Sequence, residues 1–267
     1  DLVAPTDSTL LITGESGTGK EVLARYTHDA SLRADGPFMS INCGALPETL
    51  LESELFGHVK GSFTGAVRDK QGLFAAARTG TFFMDEVGEM PPSLQVKLLR
   101  VLQQREVIPV GATEAIPVDV RIIAATNRDL EEEVRRGHFR SDLFYRLNVL
   151  AVELPPLRER RDDLILLIDR FLQDLSEEHE SDPKALAAEA MDAVMVYEWP
   201  GNVRELQNAL EHAAVLCRGP LIEPQHLPER ITRRKKEPLV AERNQPNPEL
   251  DLVERAYIMF VLQAEGG

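Results

Sequence analysis

The run Gly14-Glu15-Ser16-Gly17-Thr18-Gly19-Lys20-Glu21 follows directly on the apolar stretch Thr9-Leu10-Leu11-Ile12-Thr13. Gly14, Gly17 and Gly19 can take backbone conformations that a side chain forbids, so successive N–H groups converge on phosphate oxygens where a helix begins. Lys20 supplies a point charge at the end of the loop, and Glu15, Ser16 and Thr18 fill the positions between the glycines. A strand, a glycine loop of this spacing and a lysine together fit a nucleotide triphosphate. The bland alternative, a glycine-rich turn before a helix with a solvated lysine, explains neither the strand nor the spacing. Glu21 stands where the common pattern has Ser or Thr, which removes the usual hydroxyl ligand for magnesium. The metal must lean on other oxygens.

A second apolar strand, Thr81-Phe82-Phe83-Met84, delivers Asp85 and Glu86 to its C-terminal end, where ligands sit in parallel α/β sheets. Asp85 is the candidate magnesium ligand. Glu86 is the candidate that orients or deprotonates an attacking water, because hydrolysis needs a base near the γ-phosphate as well as a metal. Taken alone, an Asp-Glu pair at a strand end is as often a solvated helix cap. A third strand, 120 to 124, runs into Ala125-Thr126-Asn127 and puts the Asn127 amide where it can sense the γ-phosphate or position water. Alone, Asn127 reads as a cap or turn residue. These motifs resemble a Walker A loop and a Walker B strand.

Strands at 9 to 13, 38 to 41, 81 to 84, 120 to 124 and 149 to 154 alternate with helical stretches, which predicts an α/β domain with a parallel sheet covered by helices. After Pro155-Pro156 the strands stop, and helical periodicity over 162 to 176, 184 to 197 and 202 to 217 predicts a small, all-helical C-terminal lid. Asn202 followed by Glu205 reads as a capping-box-like start. The division expected is an α/β ATPase subdomain at 1–158, the lid at 159–230, a linker at 231–250 and a further helical segment at 251–267. Residues 228 to 250 hold four prolines and the run Arg233-Arg234-Lys235-Lys236, a composition that reads as exposed linker. With 267 residues, 43% of them hydrophobic, one large core or a medium core with a satellite is affordable in area terms. The net charge of −14 opposes binding to a phosphate backbone by this segment. Cys43 and Cys217 match no metal or redox spacing and read as structural, in a chain expected to be cytoplasmic, with no membrane partner. A start at Asp1 suggests a piece of something longer.

Beyond the phosphate motifs, residues 54 to 66 read Glu-Leu-Phe-Gly-His-Val-Lys-Gly-Ser-Phe-Thr-Gly-Ala. Together with Asp85-Glu86-Val87-Gly88-Glu89-Met90, the stretch from Phe139-Arg140 to Arg146-Leu147-Asn148, and Trp199-Pro200-Gly201-Asn202-Val203-Arg204-Glu205-Leu206, the chain resembles the central AAA+ domain of NtrC-like bacterial enhancer-binding proteins, the activators of sigma-54 RNA polymerase. Gly61-Ser62-Phe63-Thr64-Gly65-Ala66 resembles their GAFTGA signature, with Ser62 in place of the usual Ala. The resemblance implies an ATP- and Mg-dependent ATPase working as a hexameric or heptameric ring that remodels closed promoter complexes. It implies that the 61–66 loop contacts sigma-54, that 89 to 118 forms a second, helix-interrupting pore loop, and that Arg140 and Arg146 reach the neighbouring subunit's γ-phosphate as fingers. It further implies that Arg204 couples lid angle to phosphate and that Asn42 holds Glu86 away from water. Read without it, Phe63 is better taken as a core anchor, and two arginines on a charged helix are ordinarily solvated. Leu252 to Gly267 resembles the opening helix of a Fis-like helix-turn-helix, so enhancer DNA would be bound only through a further C-terminal domain. The rival readings are another AAA+ remodeller gripping a peptide with Phe63, and a nucleotide-gated scaffold that does not hydrolyse.

Overall fold

The structure is a computed structural model and describes residues 3–180 and 182–232. Its first part runs β1 (Leu10–Thr13), α1 (Lys20–Asp29), β2 (Phe38–Asn42), α2 (Glu48–Phe56), β3 (Gly57–His58), β4 (Lys70–Gln71) and α3 (Leu73–Ala76). It continues with β5 (Thr81–Asp85), α4 (Pro92–Gln104), β6 (Glu106–Val107), β7 (Ile116–Pro117), β8 (Arg121–Thr126), α5 (Leu130–Arg135), α6 (Ser141–Leu147) and β9 (Leu150–Glu153). The second part holds α7 (Asp163–Glu178), β10 (Ala185–Leu186), α8 (Ala188–Val196), α9 (Asn202–Leu216), β11 (Leu221–Ile222) and α10 (Glu229–Thr232).

Five strands make a parallel sheet in the order β2-β5-β8-β1-β9. Every residue of β8 is buried, as the middle strand of a sheet covered on both faces must be, and Ile122, Ile123, Ala124 and Ala125 supply its unbroken apolar run. One face packs Phe82, Met84, Ile122 and Ala124 against Leu51 and Leu55 of α2, Phe74 of α3, Leu94 and Leu98 of α4, and Leu143 of α6. The other face packs Leu10, Ile12, Phe83 and Ile123 against Ala24 of α1. At the opposite end of the sheet from the glycine loop, the buried Arg121 guanidinium donates to the Val3 and Ala4 carbonyls and ties down the segment before β1.

The second part has its own core, in which Leu164, Ile168 and Leu172 of α7 meet Ala190 and Val194 of α8 and Leu206 and Leu210 of α9 around Trp199. Trp199 is fully buried, and its indole N–H donates to the Val194 carbonyl at 3.0 Å, so the largest side chain there carries no orphaned polar atom.

The five predicted strands are present, with small shifts of limits. Four expectations require correction. The lid is not wholly helical: Ala185 and Leu186 pair with Leu221 and Ile222 as a parallel ladder, so α8 begins at Ala188 rather than near 184. The segment assigned to linker from 228 begins with a helical turn whose Ile231 is buried in the lid core. Over 89 to 118 the helix is unbroken until Gln104; Arg105 then turns the chain left-handed at φ 56°, and the short β6–β7 hairpin follows. Asn202 does not cap α9: it occupies the first helical position, Gly201 is the cap residue, and Glu205 accepts from the Gly201 N–H at 2.8 Å. The basic run 233–236, the rest of the linker and the segment 251–267 lie outside the described residues. Among the described residues, no helix is long and apolar enough to cross a membrane.

Candidate functional site

Because β1, β5 and β8 are neighbours and parallel, their C-terminal ends open at one level, and the residues that follow each strand converge. Lys20 is buried at the start of α1; its Nζ donates to the Gly14 carbonyl at 2.9 Å and the Glu15 carbonyl at 3.1 Å and lies 3.8 Å from Glu86 Oε1. Glu86 has φ 51°, a left-handed conformation costly for a residue with a Cβ, and that turn takes its carboxylate back across the strand ends. The Asn127 backbone N–H donates to Glu86 Oε2 at 3.2 Å, so one carboxylate is gripped from two strands. Asn127 thus contributes its main chain here. Thr18 is buried and folds its hydroxyl onto the Glu15 carbonyl at 2.8 Å, which stiffens the glycine loop from within. Glu21 is exposed on the first turn of α1.

Asp85 ends β5 with its carboxylate between two donors, the Glu86 N–H at 3.0 Å and the Asn42 side-chain amide at 3.4 Å. Asn42 was expected to hold Glu86, and in this conformation it holds Asp85 instead. The register explains it: Asn42 on β2 pairs with Asp85 on β5, while Glu86 lies one residue beyond and turns toward Lys20. Cys43, the next residue, is buried, and desolvation first and the Asp85 and Glu86 charges next push its thiol up to about 12, which fits a structural role. Cys217 is likewise free and buried.

Lid and glycine loop are joined by residues that the sequence did not single out for that role. The N–H groups of Val203 and Arg204, in the first turn of α9, donate to the Gly17 carbonyl at 2.9 and 3.3 Å. A Cβ on Gly17 would meet the Gly201 carbonyl oxygen at 2.4 Å, so the lid can approach this closely only over glycine. Asn202, fully buried, accepts from the Leu157 N–H at 2.8 Å and donates to Glu15 Oε2 at 3.1 Å and to the Ser16 carbonyl at 3.0 Å. Arg158 forks onto both Glu15 oxygens at 2.6 and 2.9 Å, and Arg160 donates to the Thr18 carbonyl at 2.7 Å. Arg204 reaches Ser16 Oγ at 3.3 Å. The cluster Arg158-Glu159-Arg160-Arg161 behind Pro155-Pro156 is the signal in the sequence that could have pointed to this clasp.

Arg140 and Arg146 lie at the two ends of α6, and among the described residues neither makes a hydrogen bond or ion pair with the glycine loop of its own chain. The Arg140 guanidinium pairs with Asp142 at 2.7 and 3.0 Å, whereas Arg146 is exposed and has no partner among the described residues. The 61–66 segment is a closed turn: the Gly61 N–H donates to the Ala66 carbonyl at 2.9 Å and the Ala66 N–H to the Phe63 carbonyl at 3.0 Å, with Gly61 and Gly65 left-handed. Phe63 is 44% exposed and belongs to none of the three cores; its ring rests edge-on against His58 at 4.9 Å. Thr64 is exposed and Ala66 buried, and the half-buried Ser62 has a hydroxyl with no hydrogen-bond partner. Backbone bonds from Val110 to Gly57 at 2.9 Å and from Val59 to Val110 at 3.1 Å fasten the base of this turn to the β6–β7 hairpin.

Arg158 first and Asn202 second hold the Glu15 carboxyl well below its ordinary 4.5, at about 2. A depressed folded-state value means that the clasp stabilises the chain above the unfolded-state value and that this contribution is lost as pH falls from about 4.5 toward 2. The pair is partly solvated, so the effect is modest and salt-sensitive. Glu15→Gln should therefore lower the denaturation midpoint at about pH 6, and the gap to the unmodified chain should narrow at about pH 3. A gap that is constant across that interval would show that the Glu15 charge contributes nothing.

Residues 1–153 match the Sigma-54 interaction domain and residues 158–243 the AAA+ ATPase lid domain. The transcriptional regulatory protein ZraR of Salmonella typhimurium is 50% identical over 266 residues, covering 100% of this chain and 60% of that protein. The regulatory protein AtoC of Escherichia coli K12 is 51% identical over 271 residues, 99% of this chain and 59% of that one. The crystal structure of NtrX from Brucella abortus in complex with ADP superposes with a TM-score of 0.82 at 36% identity, covering 96% of this chain and 58% of that one. The chain therefore spans about 60% of the length of the curated relatives that it matches. A glycine loop, two strand-end carboxylates and a lid clasped over them, matched end to end by these sequences, place the chain in the sigma-54 interaction domain family of AAA+ transcriptional regulators.

Proposed function

We propose that the chain is a magnesium-dependent ATPase that works as a hexameric or heptameric ring and uses hydrolysis to remodel sigma-54 RNA polymerase closed complexes into open ones. The observation that carries the reading is the convergence of Lys20, Asp85, Glu86 and the Asn127 N–H at the ends of three adjacent parallel strands. The glycine-loop N–H groups and Lys20 bind the β- and γ-phosphates. Glu86 orients an attacking water and takes its proton, and the grip of Lys20 and Asn127 on its carboxylate keeps it at the phosphate site. Asp85 offers a hard oxygen donor, and no cluster of three candidate metal ligands exists among the described residues, so magnesium would be held by Asp85 together with phosphate oxygens and water. When bound, it neutralises charge on the phosphates. Arg204, already against Ser16, reports phosphate occupancy to the lid. Arg140 and Arg146, both exposed and neither bonded to its own glycine loop, serve the neighbouring subunit's γ-phosphate, a device worth about 10³ to 10⁵ in rate.

Asn42 and α2 connect Asp85 to the 61–66 turn, whose half-exposed Phe63 and exposed Thr64 are the proposed sigma-54 contact, with Gly61 and Gly65 supplying left-handed backbone and Ser62 and Ala66 seating the turn. Residues 1–158 are read as the ATPase unit, 159–230 as the lid and 231–250 as linker. Enhancer DNA is left to a domain beyond these elements, and the work is cytoplasmic.

Binding and chemistry separate by residue. Lys20→Ala should abolish binding of a fluorescent ATP analogue, whereas Glu86→Gln should keep binding and lose phosphate release by about 10²-fold or more. Normal turnover by Glu86→Gln would refute its role as base. The turn separates from both: Phe63→Ala and Thr64→Ala should retain melting temperature and substantial ATPase activity, yet fail to drive open-complex formation on a sigma-54 promoter. A joint loss of melting temperature and activity in Phe63→Ala would return that residue to the core.

A further inference from the structure

Gln95, near the start of α4, is fully buried at 0% exposure among the apolar side chains that cover the sheet. Its Nε2 donates to the Met90 carbonyl at 2.9 Å and the His138 carbonyl at 3.0 Å, and its Oε1 accepts from the Arg140 backbone N–H at 2.9 Å. Two carbonyls and one N–H fix which end of the amide is which. Met90 closes the 3₁₀ turn Val87–Glu89 that directly follows Glu86, and Arg140 is the residue that opens α6. One side chain therefore ties the backbone behind the candidate base to the backbone of the candidate finger.

A second connection runs parallel to it. Arg128, the residue after Asn127, pairs with Glu89 of the same 3₁₀ turn at 2.5 Å and with Glu133 at 3.4 Å. Glu133 is buried and meets His138 Nδ1 at 3.2 Å and Arg136 at 3.4 Å. The segment 138–140 is thus held from both strand ends that carry Glu86 and Asn127. A buried amide with every partner satisfied specifies one arrangement, because any relative shift of these segments leaves a backbone group without a partner in an apolar surrounding.

We infer that Gln95 is a positioning residue that holds the Arg140 a subunit presents to its neighbour in place against the backbone that follows its own Glu86. The inference rests on the proposal that Arg140 acts in trans. If Gln95 only fills the core, its loss harms a subunit's own site as much as its finger; if it positions the finger, the harm is one-sided.

Mixed rings separate the two. Lys20→Ala subunits, which keep their arginines, mixed with Arg140→Ala subunits, which keep a complete ATP site, should release phosphate at hybrid interfaces. Replacing the first partner by Lys20→Ala/Gln95→Met should lower that release by about 10²-fold, the cost of misplacing a catalytic group by roughly 1 Å. In the reverse mixture, Gln95→Met with Lys20→Ala should match the control within about twofold, because the Gln95→Met site is served by an intact finger. Equal losses in both mixtures, or a loss in neither, would overturn the inference. A control mixture without rescue would refute the trans reading of Arg140 itself, a failure distinct from that of Gln95. Should Gln95→Met not fold, amide exchange in the unmodified chain below its assembly concentration decides: the Arg140 N–H should exchange more slowly than in the unfolded chain by about tenfold or more. An unprotected N–H would contradict the inference.

Discussion

Ala124 in β8 is paired on one side with Met84 of β5 and on the other with Leu11 of β1, and this shared register sets everything at the strand ends. Two residues past Leu11, Thr13 stands level with Thr126, so Gly14 and Asn127 leave the sheet at the same height. One residue past Met84, Asp85 is level with Asn42. A slip of one position in any of these pairs reverses which side chains face each helix layer and takes Glu86 away from both Lys20 and Asn127. The register is held by apolar burial on both faces. Each fully buried large side chain there contributes on the order of 1.5–3 kcal/mol relative to exposure, so the polar site is carried by contacts that contain no chemistry of their own.

The lid is attached by different physics. Its core around Trp199 is separate from the cores of the sheet, and its tie to the glycine loop is a set of hydrogen bonds at a partly solvated boundary: the Gly17 carbonyl, the Glu15 carboxylate, Asn202, Arg158 and Arg160. Such bonds are each worth about a kilocalorie net and are directional, so they can exchange partners when a phosphate competes for the same loop without either core unfolding. Arg204 belongs to this boundary already through Ser16. The 61–66 turn is reached from the strand ends along the chain: Asn42, bonded to Asp85, ends β2, α2 follows, and the β3 residues at the base of the turn are bonded to Val110. Rigid cores joined by replaceable polar contacts are the arrangement that converts local occupancy into movement.

What the sequence made legible follows from what leaves a pattern in it. Apolar β-rich runs separated by helical stretches identified the five sheet strands, and the glycine spacing marked the loop between β1 and α1, because both are local signals. Two-residue ladders such as β3–β4, β6–β7 and β10–β11 have no periodicity to read, and the ladder in the lid was missed for that reason. Asn202 looked like a cap because an Asn three residues before a Glu is a local signature; its actual partners, Glu15, Ser16 and Leu157, are distant in the chain. Asn42 was assigned to Glu86 by resemblance, while the β2–β5 register brings it to Asp85. Gln95 gives no signal at all, since a glutamine on an amphipathic helix is ordinarily solvated and only the fold reveals that it is enclosed.

Under the proposed function, occupancy of the strand-end site governs what the Phe63 turn presents to a partner. This is tested most directly by capture of purified sigma-54 on this chain with no nucleotide, with ADP, and with ADP plus a transition-state phosphate analogue. Capture is expected only with the analogue, and should be lost in Phe63→Ala under conditions where analogue binding is retained. Capture independent of nucleotide, or absent with the analogue bound, would contradict the proposed function.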